Sequence, residues 1–411
     1  MTTSDSSAPL PFRILDKGTL TSPRGFRVGA VCGDIKYGGG RKDVALIVSD
    51  VPAEVAATFT TNQVKAAPVR VCLRRMQRAG KMRGVIVNAG NANACTGLEG
   101  LENAKEMARF AAKAIGAEER EMLVCSTGRI GVQLPMDKVR KAITYAASIL
   151  GTDGHTAAEA IMTTDTFPKE LAVQFEADGA TITIAGIAKG AGMIHPKMAT
   201  MLSFITTDAA IDKATLRGCV STAVDNTFNR ISIDGDTSTN DTVIVLANGQ
   251  AGNTPLATDH PQLETFQKAL QYVMKKLARM IVEDGEGITK IVEVAVKGAK
   301  TMRDAKSATL CVARSLLVKT SWCGEDPNWG RLMDAIGYSD ARIREELVDI
   351  YYDGICAVAN GQPSKTPFEE IRKVAQKKSF TITIQLHLGE GEYSIVTTDL
   401  TEKYVELNKG E

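Results

Sequence analysis

Apolar positions along this chain follow two periods, and the alternation between them sets its class. Asp43-Val-Ala-Leu-Ile-Val-Ser49 and Gly84-Val-Ile-Val-Asn88 are short β-branched runs closed by polar residues, which predicts strands. Between 101 and 115 the period changes. Ala104, Met107, Ala108, Ala111, Ala112 and Ile115 fall on one helical face, and Gly116 follows as a C-cap. A second helix is predicted over 137–150, with Val139, Ile143, Ala146, Ala147 and Leu150 inward and Gly151 ending it. Residues 171–188 alternate on both sides of Asp178-Gly179, the signature of a type I′ hairpin. Leu202-Ser-Phe-Ile-Thr-Thr207 predicts another strand.

The second half repeats the mixture. A strand over 243–247 precedes a long helix whose face carries Leu263, Phe266, Leu270, Val273, Met274, Leu277 and Met280. A strand over 290–296 precedes a helix over 303–319, and Phe380–Leu388 alternates cleanly before a turn at 389–392. Residues 1–12 show neither period and predict a disordered tail. No internal repeat and no low-complexity linker interrupts the pattern. The class is α+β, with layered sheets packed against helices.

Composition narrows the function. With 411 residues the chain has room for two domains or one large core. Its 49 basic and 48 acidic residues leave no nucleic-acid footprint and no polybasic membrane surface. Small molecules or proteins are the expected partners. Four histidines (155, 195, 260 and 387) are too few and too scattered for a multi-histidine metal site. The eight cysteines include no C-x-x-C pair, so buried thiols of a reducing compartment are expected. The N-terminus has no secretory pattern and no run approaches the ~18 apolar residues of a membrane helix. A cytoplasmic protein is the expectation, and the chemistry implied by the resemblance described below needs no metal or organic cofactor.

The chemistry concentrates in Lys189-Gly-Ala-Gly-Met-Ile-His-Pro-Lys-Met-Ala-Thr200-Met-Leu. If the Ala199–Thr200 bond is cut, Thr200 carries a hydroxyl and a free α-amine that serves as its own base. Such an amine titrates near pH ~8, so it takes up and returns a proton at neutral pH. The chain could cut itself by attack of Thr200 Oγ on the Ala199 carbonyl, followed by an N-to-O acyl shift and hydrolysis of the ester.

This segment resembles the self-cleaving motif of the ornithine acetyltransferase (glutamate N-acetyltransferase) family at every fixed position. Further blocks agree in the family's order: Phe59–Asn62 with Ala66–Val69, Asn88–Gly97, Ser126–Gly128, Thr227–Asp241 and Asp326–Arg331. The resemblance implies that Thr200 is both cleavage residue and acetyl carrier, and that Thr127 and Gly128 form the oxyanion hole. It implies substrate contacts from Thr166, Lys189, Glu286 and Asn408. It also implies an α chain (1–199) and a β chain (200–411) sharing one core, assembled as a dimer of such pairs. The implied reaction passes acetyl from N2-acetyl-L-ornithine to L-glutamate in arginine biosynthesis, and some members also use acetyl-CoA. One departure stands out. Members typically continue past the asparagine to a terminal Thr or Ser that touches substrate, whereas this chain ends Lys409-Gly-Glu411. Two alternatives stay open: an N-terminal-nucleophile amidohydrolase or aminopeptidase, and a non-catalytic amino-acid-binding homologue.

Overall fold

The computed structural model describes residues 9–35, 40–78, 80–195 and 201–409. They form two compact units. The first comprises 1–190, 200–229 and 237–278, and the second 191–199, 230–236 and 279–411.

The first unit is built on nine strands: β1 (Arg13–Ile14), β2 (Phe26–Val31), β3 (Val44–Phe59), β4 (Met82–Asn91), β5 (Met122–Arg129), β6 (Lys169–Ala177), β7 (Ala180–Lys189), β8 (Leu202–Thr207) and β9 (Thr242–Ala247). Their order is β1-β6-β7-β8-β9-β3-β4-β5, with β2 paired to β3 off this path. The long β3 serves two neighbourhoods. Its first half pairs with β2 and β4, and Glu54–Phe59 pairs antiparallel with β9. Asp178 and Gly179 both take positive φ (52° and 76°), the backbone that a type I′ turn between β6 and β7 demands.

Helices α1 (Ala67–Arg78), α2 (Gly97–Ala114), α3 (Met136–Ser148), α4 (His155–Ala160), α5 (Lys213–Asn226) and α6 (Leu263–Glu283) accompany these strands. The predicted α2 face is buried at Ala104, Met107, Ala108, Ala111 and Ala112, and joins Val85, Ile86, Val87, Leu123 and Val124 in one core. Against β7 the approach of α6 is close. A Cβ on Gly186 would stand 2.9 Å from Leu277 and 3.0 Å from Val273. The tail expectation over 1–12 needs correction at its end. Phe12 is buried, its ring 5.1 Å from that of Tyr272.

The second unit holds β10 (Ile291–Ala299), β11 (Asp349–Tyr352), β12 (Ile355–Ala359), β13 (Gln362–Pro363), β14 (Ser379–Gln385) and β15 (Gly391–Thr398). Their order is β13-β12-β11-β14-β10-β15. A short turn joins β14 to β15, yet β10 lies between them. Helices α7 (Met302–Arg314), α8 (Leu316–Cys323), α9 (Trp329–Gly337) and α10 (Phe368–Ala375) belong to this unit, as does α11 (Glu402–Asn408). Trp322, Tyr352, Val294 and Ile382 centre its core. The single helix expected over 303–319 is two helices. Ser315 turns extended (ψ 113°) and its hydroxyl accepts the Val318 N–H at 3.3 Å, capping α8. The architecture is α+β with layered sheets and helices.

Candidate active site

Thr127 and Gly128 end β5, where β4 runs parallel and pairs Thr127 with Ala89 and Gly128 with Gly90. Thr127 is buried. Gly128 has φ 131°, and a Cβ there would lie 2.3 Å from the Gly90 carbonyl carbon, so only glycine fits. Three polar contacts pin this corner. Ser126 Oγ donates to Asn88 Oδ1 at 2.6 Å, and Asn240 Nδ2 donates to the Ser126 and Ala92 carbonyls at 2.8 and 2.6 Å. A backbone held this firmly is suited to present N–H groups to a developing oxyanion.

Lys189 closes β7, only 3% exposed. Its ammonium stands 3.9 Å from Asp165 Oδ2. Asp165 also takes Lys169 Nζ at 2.8 Å and the N–H groups of Gly190 (2.7 Å) and Thr163 (2.9 Å). Burial alone would push its carboxyl up, but Lys189 and Lys169 overcome that and hold it down at about 2. Asp165 therefore stays ionised and anchors the Lys189 ammonium. It was hidden in the sequence inside the Thr163–Pro168 block, where Thr166 drew attention. Thr166 is exposed and lines a cavity of about 630 Å³ with Arg41, Lys42, Glu159 and Met162. Lys42 is paired with Glu159 at 2.7 Å.

Ala199 and Thr200 lie outside the described residues. The chain resumes at buried Met201, whose N–H donates to Asp241 Oδ1 at 3.0 Å, and then enters β8 between β7 and β9. All six residues of β8 are buried.

Glu286 and Asn408 are brought together in the second unit. Glu286 follows α6, and its N–H donates to the Ala191 carbonyl at 3.0 Å. Its carboxylate lies against Gly192, where a Cβ would come within 2.7 Å of Oε2. Asn408 Nδ2 donates to Glu286 Oε2 at 2.9 Å. Thr401 caps α11 by accepting the Tyr404 N–H and donates to the Gly287 carbonyl at 2.6 Å, so the helix is tied to the turn beside Glu286. Asp234 is a further residue that pattern alone did not mark. It accepts the N–H groups of Met193 (2.5 Å) and Ile194 (2.9 Å) and the Tyr404 hydroxyl (3.3 Å), bracing the segment that leads toward Ala199.

A model of the ArgJ family matches residues 27–410. The chain belongs to the ArgJ family. It is 49% identical over 393 residues to the arginine biosynthesis bifunctional protein ArgJ of Symbiobacterium thermophilum, covering 95% of this chain and 98% of that protein. It is 50% identical over 387 residues to the protein so named from Geobacter sulfurreducens, covering 94% and 98%. The crystal structure of the Bacillus halodurans ArgJ protein is similar at a TM-score of 0.50 and 43% identity. That solved chain is covered completely and accounts for 52% of this one. The resemblance read from the motif blocks is thereby borne out. Among the described residues no helix is long and apolar enough to cross a membrane.

Proposed function

We propose that this ArgJ-family chain cuts itself between Ala199 and Thr200 and then moves acetyl from N2-acetyl-L-ornithine to L-glutamate in the cytoplasm, as a step of arginine biosynthesis. The observation that carries the reading is membership of the family over residues 27–410 with every fixed position of the 189–202 motif present. The division into chains 1–199 and 200–411 is part of the same proposal. We propose the same dimer of pairs for the assembly. The word bifunctional in the relatives' names supports acetyl-CoA as a second donor.

In this mechanism the α-amine of Thr200 takes the hydroxyl proton as Oγ attacks the acetyl carbonyl. Thr127 and the Gly128 N–H bear the oxyanion. The C–N bond breaks, ornithine leaves with the proton, and acetyl remains as an ester on Thr200. Glutamate's amine then attacks the ester and restores the hydroxyl. Lys189 suits the substrates' carboxylate and Glu286 their ammonium, with Asn408 holding the Glu286 carboxylate in place. Thr166 contacts the substrate from its cavity.

Intact-mass spectrometry of the purified protein beside Thr200→Ala tests the first step. Two fragments split at Ala199–Thr200, against one uncut mutant chain, are expected, and an uncut wild type would remove the nucleophile. With acetylornithine and glutamate the product should be N-acetylglutamate with parallel double-reciprocal plots. Free acetate in its place would assign the chain to the hydrolases.

A further inference from the structure

Three of the matched blocks, over 59–69, 88–97 and 227–241, carry none of the groups that act in these steps. The first unit draws them together beside the oxyanion corner. Thr60 Oγ donates to the Ser238 carbonyl at 2.7 Å, Asn62 Nδ2 to the Thr237 carbonyl at 3.0 Å, and the Ala66 N–H to the Thr239 carbonyl at 3.0 Å. Asn240 follows these anchored residues and is 5% exposed. Its Nδ2 donates to the Ala92 carbonyl at 2.6 Å and the Ser126 carbonyl at 2.8 Å, so both amide hydrogens are used. Its Oδ1 accepts the Thr239 hydroxyl at 2.5 Å, which leaves the amide one orientation. Its backbone is held as well, the N–H by Ser238 Oγ at 3.0 Å and the carbonyl by the Thr242 hydroxyl at 2.9 Å.

The two carbonyls that Asn240 holds flank the Thr127-Gly128 pair. Ser126 comes immediately before Thr127. Ala92 acts on the other side, because its N–H donates to the carbonyl of Arg129, the residue after Gly128, at 2.9 Å. One side-chain amide therefore grips both ends of the pair. The open edge of β5 is closed further back by α1, since only β4 lies beside β5 in the sheet. Arg75 donates to the Met122 carbonyl, and Cys72 Sγ donates to the Val124 carbonyl at 3.1 Å and accepts the Val124 N–H at 3.3 Å. We propose that Asn240 is the positioning residue of the oxyanion hole, fixing Thr127 and the Gly128 N–H through Ser126 and through Ala92 with Arg129. The inference rests on the acetyl-transfer reading above, with Thr127 and Gly128 as its oxyanion hole. Asn240 acts through the backbone and not on the substrate. Its loss lets the donors drift from where charge develops, while the contacts of Lys189 and Glu286 with substrate stay as they were.

Asn240→Ala, Thr127→Ala and the double variant are assayed beside wild type for acetyl transfer from acetylornithine to glutamate. Each rate is divided by the fraction of cleaved chain found by intact mass, and each protein is melted to check its fold. Asn240→Ala should lower kcat about 10- to 100-fold with KM unchanged for both substrates. The double variant should be about as slow as the slower single one, because both changes remove the same stabilisation. A merely structural role gives losses that multiply instead. Multiplied losses, a wild-type kcat in Asn240→Ala, or a raised KM in place of a lowered kcat would overturn the proposal alone. A wild-type kcat in Thr127→Ala would overturn the oxyanion hole it rests on, and a wild type that transfers no acetyl would overturn the reaction. Should Asn240→Ala fail to fold or to cleave, Thr239→Val decides, since it keeps the amide and removes the hydroxyl that holds Oδ1. A kcat lowered about 2- to 10-fold at constant KM, the worth of one hydrogen bond, is expected there, and an unchanged kcat overturns the proposal.

Discussion

At the residue scale, the candidate site depends on charges kept where water is scarce. Asp165 is the hinge of one such cluster, with Lys169 and Lys189 both directed at it. Its folded value of about 2 lies below the unfolded value near ~4, so its contribution is fully present above pH ~4 and is lost as pH falls toward 2. Urea unfolding should show about 2 kcal/mol of wild-type stability disappearing across that window. Asp165→Asn should cost about 3–5 kcal/mol at pH 7, because two buried ammoniums lose their counter-charge. Lys189→Met is a different case, since Asp165 retains Lys169 and the Gly190 N–H. It should fold and raise KM for the amino-acid substrates about 100-fold, the scale of one charge-assisted contact. Asn408→Ala touches no core and should leave stability within about 0.5 kcal/mol while raising KM. An unchanged KM in both variants would remove them from the substrate site. Thr200 and its motif were legible as chemistry in the sequence. Asp165, Asp234 and Asp241 were not, because an aspartate in a polar block looks the same whether solvated or buried against a backbone N–H.

At the element scale, periodicity worked where an element buries one clear face. The α2 face, the β6–β7 hairpin and β8 appear where the pattern puts them. It failed where apolar spacing continues through a break. The face over 303–319 runs on, but the backbone leaves the helix at Ser315 and restarts under a serine cap. Ser315→Ala should cost about 1 kcal/mol in urea unfolding, the ordinary value of a cap. A cost near zero would mean that packing around Trp322 alone sets the break. Partners of strands were also out of reach. β14 and β15 follow each other in sequence, and only the register of β10 between them assigns their neighbours. Many of the elements left without a reading, such as β13 and α11, are short, and their stability comes from what they dock against.

At the scale of the whole molecule, the proposed cut would divide the chain between two neighbouring strands of one sheet. β7 precedes it and β8 follows it, and the two pair along six residues; β3 pairs with β9 in the same way. Fragments 1–199 and 200–411 should therefore co-migrate on a native gel and part only in denaturant. Separation without denaturant would contradict the shared core. The second unit holds a different whole-molecule lever. Lys319 is buried, and its ammonium donates to the Thr398 carbonyl and to the hydroxyls of Thr397 and Thr398. Burial depresses its pKa to about 7 despite the opposing pull of Asp399 and Asp234. Between pH 7 and ~10 the unfolded chain binds the extra proton, so wild-type stability should rise relative to Lys319→Met through that window and level off below it. A pH-independent difference between the two would place the ammonium's full charge in the folded core. The sequence by itself determined the class, the main strands and helices, the reactive segment and the family. These follow from local period, turn chemistry and a long run of matched residues. Only the tertiary structure decided which strands are neighbours, that Gly128 is pressed by Gly90, and which carboxyls are ionised. Those properties come from residues far apart in the chain, whose burial and distance set their energies and leave no mark on the local pattern.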